Sequence, residues 1–387
     1  MIKEQEAVRV VSLMLTWNCN LNCTYCFELF KRPDREMSVE VAKRVLSEEF
    51  STFAGRDECK QGGYLKVDFF GGEPLLRFDL IREITEWVCG LNLPFRVMLS
   101  VTSNGTLLDE CKQRWFEEHK EVIRVVLSVD GTEEIQQINR GDLATDAPIS
   151  FVRRVWPNLH FKSTISRAAL PTLSRDLISL LEAGHTISPN LASGEDWQEG
   201  DDVIYKRELE KLASWHLAHP EIEPMRIFMQ HFIALLEPYC NQPPKKNCGT
   251  GTTMVAYDWD GTPYPCHLFV PITHGRSEAV EELKEVDFFD DKRFLEDSCN
   301  GCKLQRVCKT CYGFNYRDRG DVRKRDFRVC KMMLVEAQVI SAFQINYLMA
   351  LRKERELNTF ELTALQGAVR CYELYKDFSF DEDTLIV

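Results

Sequence analysis

The chain has no apolar run approaching the roughly 20 residues that a helix needs to span a bilayer. Its opening, MIKEQEAVRVVSLML, carries charges where a signal peptide has its apolar stretch. Both absences argue against a membrane partner and for a cytoplasmic protein. Positive charge is also short: 48 Lys and Arg stand against 60 Asp and Glu, a net −12 at pH 7, so the surface as a whole is not built to hold nucleic acid backbones. One basic stretch, Arg317 to Arg328 (RDRGDVRKRDFR), is interleaved with aspartates and reads as a solvated loop before an anionic-partner site. There is no internal repeat and no low-complexity tract. Without an export signal, the fifteen cysteines do not read as a disulfide framework, because the cytosol keeps thiols reduced.

Cysteine is what the chain does have, unevenly spread. Three lie within positions 19 to 26, eight between 240 and 330, and Cys59, Cys89, Cys111 and Cys371 stand apart; metal binding is the first expectation. At 387 residues and 44% hydrophobic, the chain suits one large domain with a smaller appended module. We place a main domain at 1–235, a cysteine-rich module at 236–332 and a helical segment at 333–387.

Arg9 to Leu15 (RVVSLML) predicts a buried strand ending at the first cysteine loop, and Ser38 opens a helix with Val41, Val45, Leu46, Phe50 and Phe53 near helical spacing. The unit recurs. Lys66 to Phe70 precedes helical Asp79 to Cys89, Phe95 to Val101 precedes Leu107 to Glu118, and Val122 to Val129 precedes a helix near Thr132. Leu159 to Ile165 and Thr186 to Leu191 are further strands, with helical Leu173 to Ala183 between them. Such alternation indicates an α/β fold with a parallel sheet, open or curled into a full or partial barrel. Reactive loops collect at the C-terminal ends of such strands, here Cys19 to Cys26, Gly71 to Pro74, Ser103 to Gly105 and Asp130-Gly131. From Glu237 to Cys330 the chain is rich in Pro, Gly and Cys, and from Lys331 to Lys353 apolar residues recur every four positions, predicting a helix.

In Cys19-Asn-Leu-Asn-Cys23-Thr-Tyr-Cys26 three thiolates lie within eight residues. A structural site normally uses four ligands, and three leave one iron open to substrate; a partial zinc site is the bland alternative. CxxxCxxC with an aromatic before its last cysteine resembles the signature of the radical S-adenosylmethionine superfamily. The resemblance implies a partial (β/α)6 TIM-like barrel, with Cys19, Cys23 and Cys26 holding a 4Fe–4S cluster whose open iron binds S-adenosylmethionine. Its reductive cleavage yields a 5′-deoxyadenosyl radical that takes hydrogen from substrate. By the same resemblance Gly71, Gly72, Glu73 and Pro74 bind the methionine amine of the cofactor. Ser103 and Asn104 (TSNG) and Ser128 and Asp130 (SVDG) resemble cofactor-binding stretches of peptide-modifying members, although each could be an ordinary turn. Tyr25 and Phe27, flanking the last cysteine of the loop, are candidates to border the adenine or to serve in plain packing.

Cys248, Gly261, Cys266, Cys299, Cys302, Cys308, Cys311 and Cys330 follow the seven-cysteine spacing of the SPASM domain, with two residues between Cys308 and Cys311 where three are common. The resemblance implies two auxiliary 4Fe–4S clusters. Cys299, Cys302, Cys308 and Cys330 would hold the distal one; Cys248, Cys266 and Cys311 would hold the other, with Cys240 as candidate fourth ligand or an open iron that binds substrate in its place. Zinc remains the alternative, since thiolate zinc sites share the CxxC spacing. His267 is a candidate catalytic residue standing where sulfatase-maturating relatives carry an aspartate, a departure that argues against their reaction; a donor near a cluster sulfur, a part of the substrate pocket or a structural histidine are the other readings. The expected function is therefore that of a peptide maturase closing a thioether or carbon–carbon crosslink in a precursor peptide. A low-potential donor such as flavodoxin or ferredoxin would supply electrons. Only eighteen residues precede Cys19, so leader binding is expected to use the barrel edge, the C-terminal helices or another protein. The alternatives are a formylglycine-forming sulfatase maturase and a non-catalytic metal scaffold.

Overall fold

Arg9–Trp17 (β1) is apolar along nearly its whole length and buried on both faces, which is why it reads as a continuous hydrophobic run. The computed structural model describes residues 9–380. The other strands are β2 (Arg32–Glu36), β3 (Leu65–Gly71), β4 (Val97–Ser103), β5 (Ile123–Leu127), β6 (Phe161–Ile165), β7 (Ile187–Leu191), β8 (Met254–Tyr257) and β9 (Pro263–Tyr264). The larger sheet has the order β5-β4-β3-β1-β8-β9, with β2 paired to β1, and β6 and β7 form a parallel pair of their own. β1, β3, β4, β5 and β8 run parallel to their neighbours in that order. Six parallel strands, β1 and β3 to β7, are each followed by a helix, at Val39–Ala54, Phe78–Cys89, Glu110–Glu118, Glu133–Arg140, Leu173–Glu182 and Asp201–Ala218. The α/β parallel architecture expected from the alternation is thus present.

The chain forms two compact units. The first comprises the described residues up to Val129, with Arg140–Leu159 and Cys248–Arg293; the second comprises Asp130–Asn139, His160–Asn247 and the described residues from Phe294. The cysteine-rich region is therefore shared between them, and the cause is β8: its four residues MVAY pair with β1 from Val10 to Leu13. A buried pair fixes this edge, because Arg9 Nε and Nη2 meet the Glu49 carboxylate at 2.9 and 2.8 Å while Tyr257 Oη donates to the same carboxylate at 2.8 Å.

In the second unit the helix Cys330–Glu354 packs against Asp201–Ala218 and Thr359–Tyr375. Together with the turn before it, this segment is the one among the described residues long and apolar enough to cross a membrane, at a mean hydropathy of 1.3. The apolarity is an average over a helix that the sequence shows as a four-residue repeat, and 56% of that window is buried inside the protein.

Candidate active site

The pairing of β1 with β3 continues past the strand ends. Gly72 N donates to Thr16 O at 2.9 Å and Glu73 N to Asn18 O at 2.8 Å, which lays the loop after β3 directly on the start of the cysteine loop. Only glycine permits this. A Cβ on Gly71, at φ +123°, would stand 2.3 Å from Thr16 O, and one on Gly72 would stand 2.2 Å from Asn18 O. The missing side chains serve first to seat the cysteine loop, a role beyond the cofactor binding expected of the motif.

Glu73 is buried at this junction. Its Oε1 accepts from Leu75 N at 3.0 Å and Ser103 Oγ at 2.8 Å, and its Oε2 from Asn104 N at 2.9 Å. Burial pushes its pKa up, while these three hydrogen bonds and the charge of Arg140 pull the other way. The carboxylate is held in one orientation. Ser103 and Asn104 therefore act here on Glu73 and on the cysteine loop: Asn104 Nδ2 donates to Asn20 Oδ1 at 3.0 Å, Asn20 Nδ2 to Thr106 Oγ1 at 2.7 Å, and Thr106 Oγ1 to Asn104 Oδ1 at 2.7 Å. Asn20 and Thr106 were not singled out by sequence, where they are simply polar loop residues.

The loop itself is closed by Cys26 N donating to Cys23 O at 3.1 Å and by Lys31 Nζ donating to Leu21 O at 2.9 Å. Burial pushes the Cys19 thiol up to about 12 and raises Cys26, whose second cause is Glu28. Thiols so placed stay protonated until a metal takes the proton's place. Glu28 is buried with Oε1 lacking a hydrogen-bond partner, and burial pushes its pKa up to about 8. All fifteen cysteines lack a disulfide. Among the described residues no three His, Cys, Asp or Glu side chains converge on a single metal-ion position. A polynuclear cluster does not require that convergence, because each thiolate binds a different iron. Three partly buried thiols in a braced loop, beside a fixed carboxylate, fit such a cluster with one iron left open.

Aromatic groups complete the first unit's site. Phe27 stacks on Phe70 at 6.3 Å, and the His267 ring lies 4.5 Å from Phe70 and 5.9 Å from Phe27. His267 begins a short turn directly after Cys266 and is thereby brought to the end of β3. Tyr25 faces the Arg140 guanidinium at 5.4 Å. Phe70 and Arg140 carry no sequence motif and were not anticipated. Ser128 N donates to Ser103 O, extending β5 by one rung. In the second unit, the Asp130 carboxylate accepts from Thr164 N at 2.9 Å and from Asn139 Nδ2 at 3.1 Å, so it serves to fix β6.

The second unit gathers four other thiols. Burial pushes Cys308 up to about 11, with Cys299 and Cys302 adding to the rise, and burial pushes Cys330 up to about 12, with Cys308, Cys299 and Cys302 adding. Mutual influence of this kind requires the four to be near neighbours. Of the remaining candidates, Cys248 and Cys266 belong to the first unit and Cys240 and Cys311 to the second. Cys311 also lines a cavity of about 490 Å³ within the second unit, together with Asn190, Arg226, Lys309 and Glu336. Glu336 is buried, accepts from Tyr205 Oη at 3.0 Å, and has its pKa raised by burial. The basic stretch is laced by ion pairs, Arg323 with Asp321 at 2.9 Å and Arg328 with Asp326 at 2.8 Å. The solvated-loop expectation holds for Arg323 and fails for Arg325, which is buried.

Three comparisons bear on this geometry. The model of the radical SAM superfamily matches residues 14–155. The cysteine-type anaerobic sulfatase-maturating enzyme of Clostridium novyi (strain NT) is 32% identical over 328 residues, covering 76% of this chain and 84% of that protein. Among solved structures, anSMEcpe with bound AdoMet superposes with a TM-score of 0.65 at 19% identity, covering 93% of this chain and 98% of that one. Streptococcus suis SuiB bound to its precursor peptide SuiA superposes with a TM-score of 0.52 at 16% identity, covering 82% and 74%.

Proposed function

The chain belongs to the radical SAM superfamily, which implies S-adenosylmethionine and a 4Fe–4S cluster, and on that premise we propose that it oxidatively modifies a peptide. The observation that carries the proposal is the seating of Cys19 to Cys26 on Gly71 to Pro74, with the fixed Glu73 carboxylate beside the thiols and the His267 ring over Phe70. Cys19, Cys23 and Cys26 hold the cluster. When bound, cluster and S-adenosylmethionine supply a 5′-deoxyadenosyl radical that removes a hydrogen atom from the substrate. Glu73 receives the cofactor's amine, for which a buried, pre-oriented carboxylate is suited. Phe27, Phe70 and His267 wall the position where the substrate carbon is presented, and His267 takes the proton released on oxidation.

Cys299, Cys302, Cys308 and Cys330 hold an auxiliary cluster; a second, with Cys248, Cys266, Cys311 and the candidate Cys240, is what the family resemblance implies. A flavodoxin or ferredoxin delivers the electron. The product would be a thioether or carbon–carbon crosslink in a ribosomally made peptide: one hydrogen would leave as an atom to the 5′-deoxyadenosyl radical, the second as a proton to His267 and an electron to an auxiliary cluster. Formylglycine formation is the second reading; the relationship to the Clostridium novyi enzyme favours it, and histidine in place of aspartate at 267 weighs against it.

Mass spectrometry tests both. Anaerobically reconstituted enzyme, reductant and S-adenosylmethionine are incubated with a precursor peptide from a neighbouring short gene and with a cysteine-containing sulfatase peptide. Loss of two hydrogens with a new intrachain link supports the crosslink, and conversion of the cysteine side chain to an aldehyde supports the second reading. Cofactor cleavage with neither peptide altered overturns the peptide-directed function.

A further inference from the structure

Arg325 differs from the rest of the basic stretch. The residue is 8% exposed, its Nη1 donates to Cys308 Sγ at 3.3 Å, and its Nε is buried with no hydrogen-bond partner. Its backbone is pinned as well, with Arg325 N donating to Glu296 Oε2 at 2.5 Å. The neighbouring arginines 319, 323 and 328 are answered by aspartates, whereas the side-chain hydrogen bond of Arg325 goes to a sulfur. A guanidinium is always charged, and a buried N–H of such a group left without an acceptor is costly. Neutral thiols accept weakly. The thiolates and inorganic sulfides of a cluster are anionic, and they would answer both the donor already facing Cys308 and the donor now unpartnered.

We propose that Arg325 is a positioning residue for the cluster held by Cys299, Cys302, Cys308 and Cys330, donating to its sulfurs and raising its reduction potential. This rests on the assignment of that quartet under the proposed function. A buried positive charge favours whichever cluster state carries the extra electron, and hydrogen bonds to sulfur act in the same direction. The quartet's cluster is thereby set to retain an electron rather than to deliver one to a sulfonium.

The full chain, reconstituted anaerobically, is titrated against potential with detection by electron paramagnetic resonance. A Cys302→Ser/Cys330→Ser double variant first identifies the quartet's signal, with loss of about four irons per chain. Unchanged iron in that variant shows that the quartet holds no cluster and removes the reading on which the proposal rests. With the signal assigned, Arg325→Gln is expected to cut its reduced-to-oxidised ratio about tenfold at fixed potential, about 59 mV for a one-electron couple. Arg325→Lys, which keeps the charge without the planar fork, is expected to shift it less. A midpoint unmoved in Arg325→Gln with iron retained overturns the role of Arg325 and leaves the quartet standing. Should Arg325→Gln lose the iron, Arg325→Lys decides by the same criterion, and an unmoved midpoint there overturns the role.

Discussion

The two cysteine constellations are built differently. In the first unit, Cys19 to Cys26 hang from a nine-residue strand and are braced by backbone bonds to Gly72 and Glu73 and by the Asn20, Thr106 and Asn104 ring. In the second, Cys299 to Cys330 are joined by short turns, Asp297–Cys299 and Phe327–Val329, and by the eight-residue helix Tyr312–Arg319. A loop tied to a sheet has its shape before any metal arrives, whereas a segment with few regular hydrogen bonds takes much of its shape from what its thiols bind.

The largest effect is expected from removing a ligand on the braced side. Cys23→Ala should abolish cleavage of S-adenosylmethionine while the rest of the protein keeps about eight of about twelve irons and an unchanged far-ultraviolet circular dichroism spectrum. Loss of all iron or of the fold would show that the braced loop depends on its metal as much as the quartet does. Metal removal probes the other side. Chelation under reducing conditions should raise amide exchange across Asp297–Val329 by about tenfold or more and leave β1 and β3 protected. Equal deprotection of both regions would end the distinction.

Two glycines sharpen it further. A Cβ at Gly72 meets Asn18 O at 2.2 Å, and backbone there has nowhere to go. Gly72→Ala should therefore cost roughly 3 kcal/mol, measured by urea unfolding, and impair loading of the first cluster. Gly301, between Cys299 and Cys302, has φ +82° but nothing within 4 Å of the place a methyl group would take. Gly301→Ala should cost only about 1 kcal/mol, from the left-handed backbone alone. Similar costs at both sites would mean that the quartet loop is as tightly seated as the first.

The same contrast explains what could be read in advance. Apolar periodicity revealed β1, β3, β4 and β5, and the placement of cysteines and Gly71 to Pro74 after successive strands pointed to one site, because a parallel sheet gathers its strand ends. β8 was not legible: MVAY is four residues inside a Pro, Gly and Cys-rich stretch, and it becomes a strand because the free edge of β1 needs a partner. β2 (RPDRE) is polar, mostly exposed and begins beside a proline, so no alternation marks it. Arg325 was misread because a basic run looks solvated from its composition, and only tertiary contact shows which member turns inward. The Asn20, Thr106 and Asn104 ring was hidden for the same reason, being made of three ordinary loop residues that acquire a role through one another.

One buried group in each unit should also answer acid in the direction opposite to its counterpart. In the first, burial pushes the Asp258 carboxyl up to about 6, against hydrogen bonds from Trp17 Nε1 and Trp259 N. The folded form therefore binds this proton more tightly than the unfolded chain, and the associated stability is complete below the ordinary carboxyl range and lost as pH rises through about 6. In the second, burial, with His219 as the second cause, lowers His216 to about 4. The folded form resists that proton, and the stability is present above about 6.5 and lost as pH falls toward 4. Going from pH 7 to pH 5, Asp258 should add about 1 kcal/mol to the first unit, in the same direction as Glu28, and His216 should cost the second about 2 kcal/mol, against the opposite contribution of Glu336. Amide exchange in β3 against that in Asp201–Ala218, followed at the two pH values, reads both changes in one sample. His216→Gln should remove the acid sensitivity that His216 gives the second unit and Asp258→Asn should reduce the gain in the first, since neither replacement titrates; a response left unchanged by its substitution would remove that group from the pH dependence.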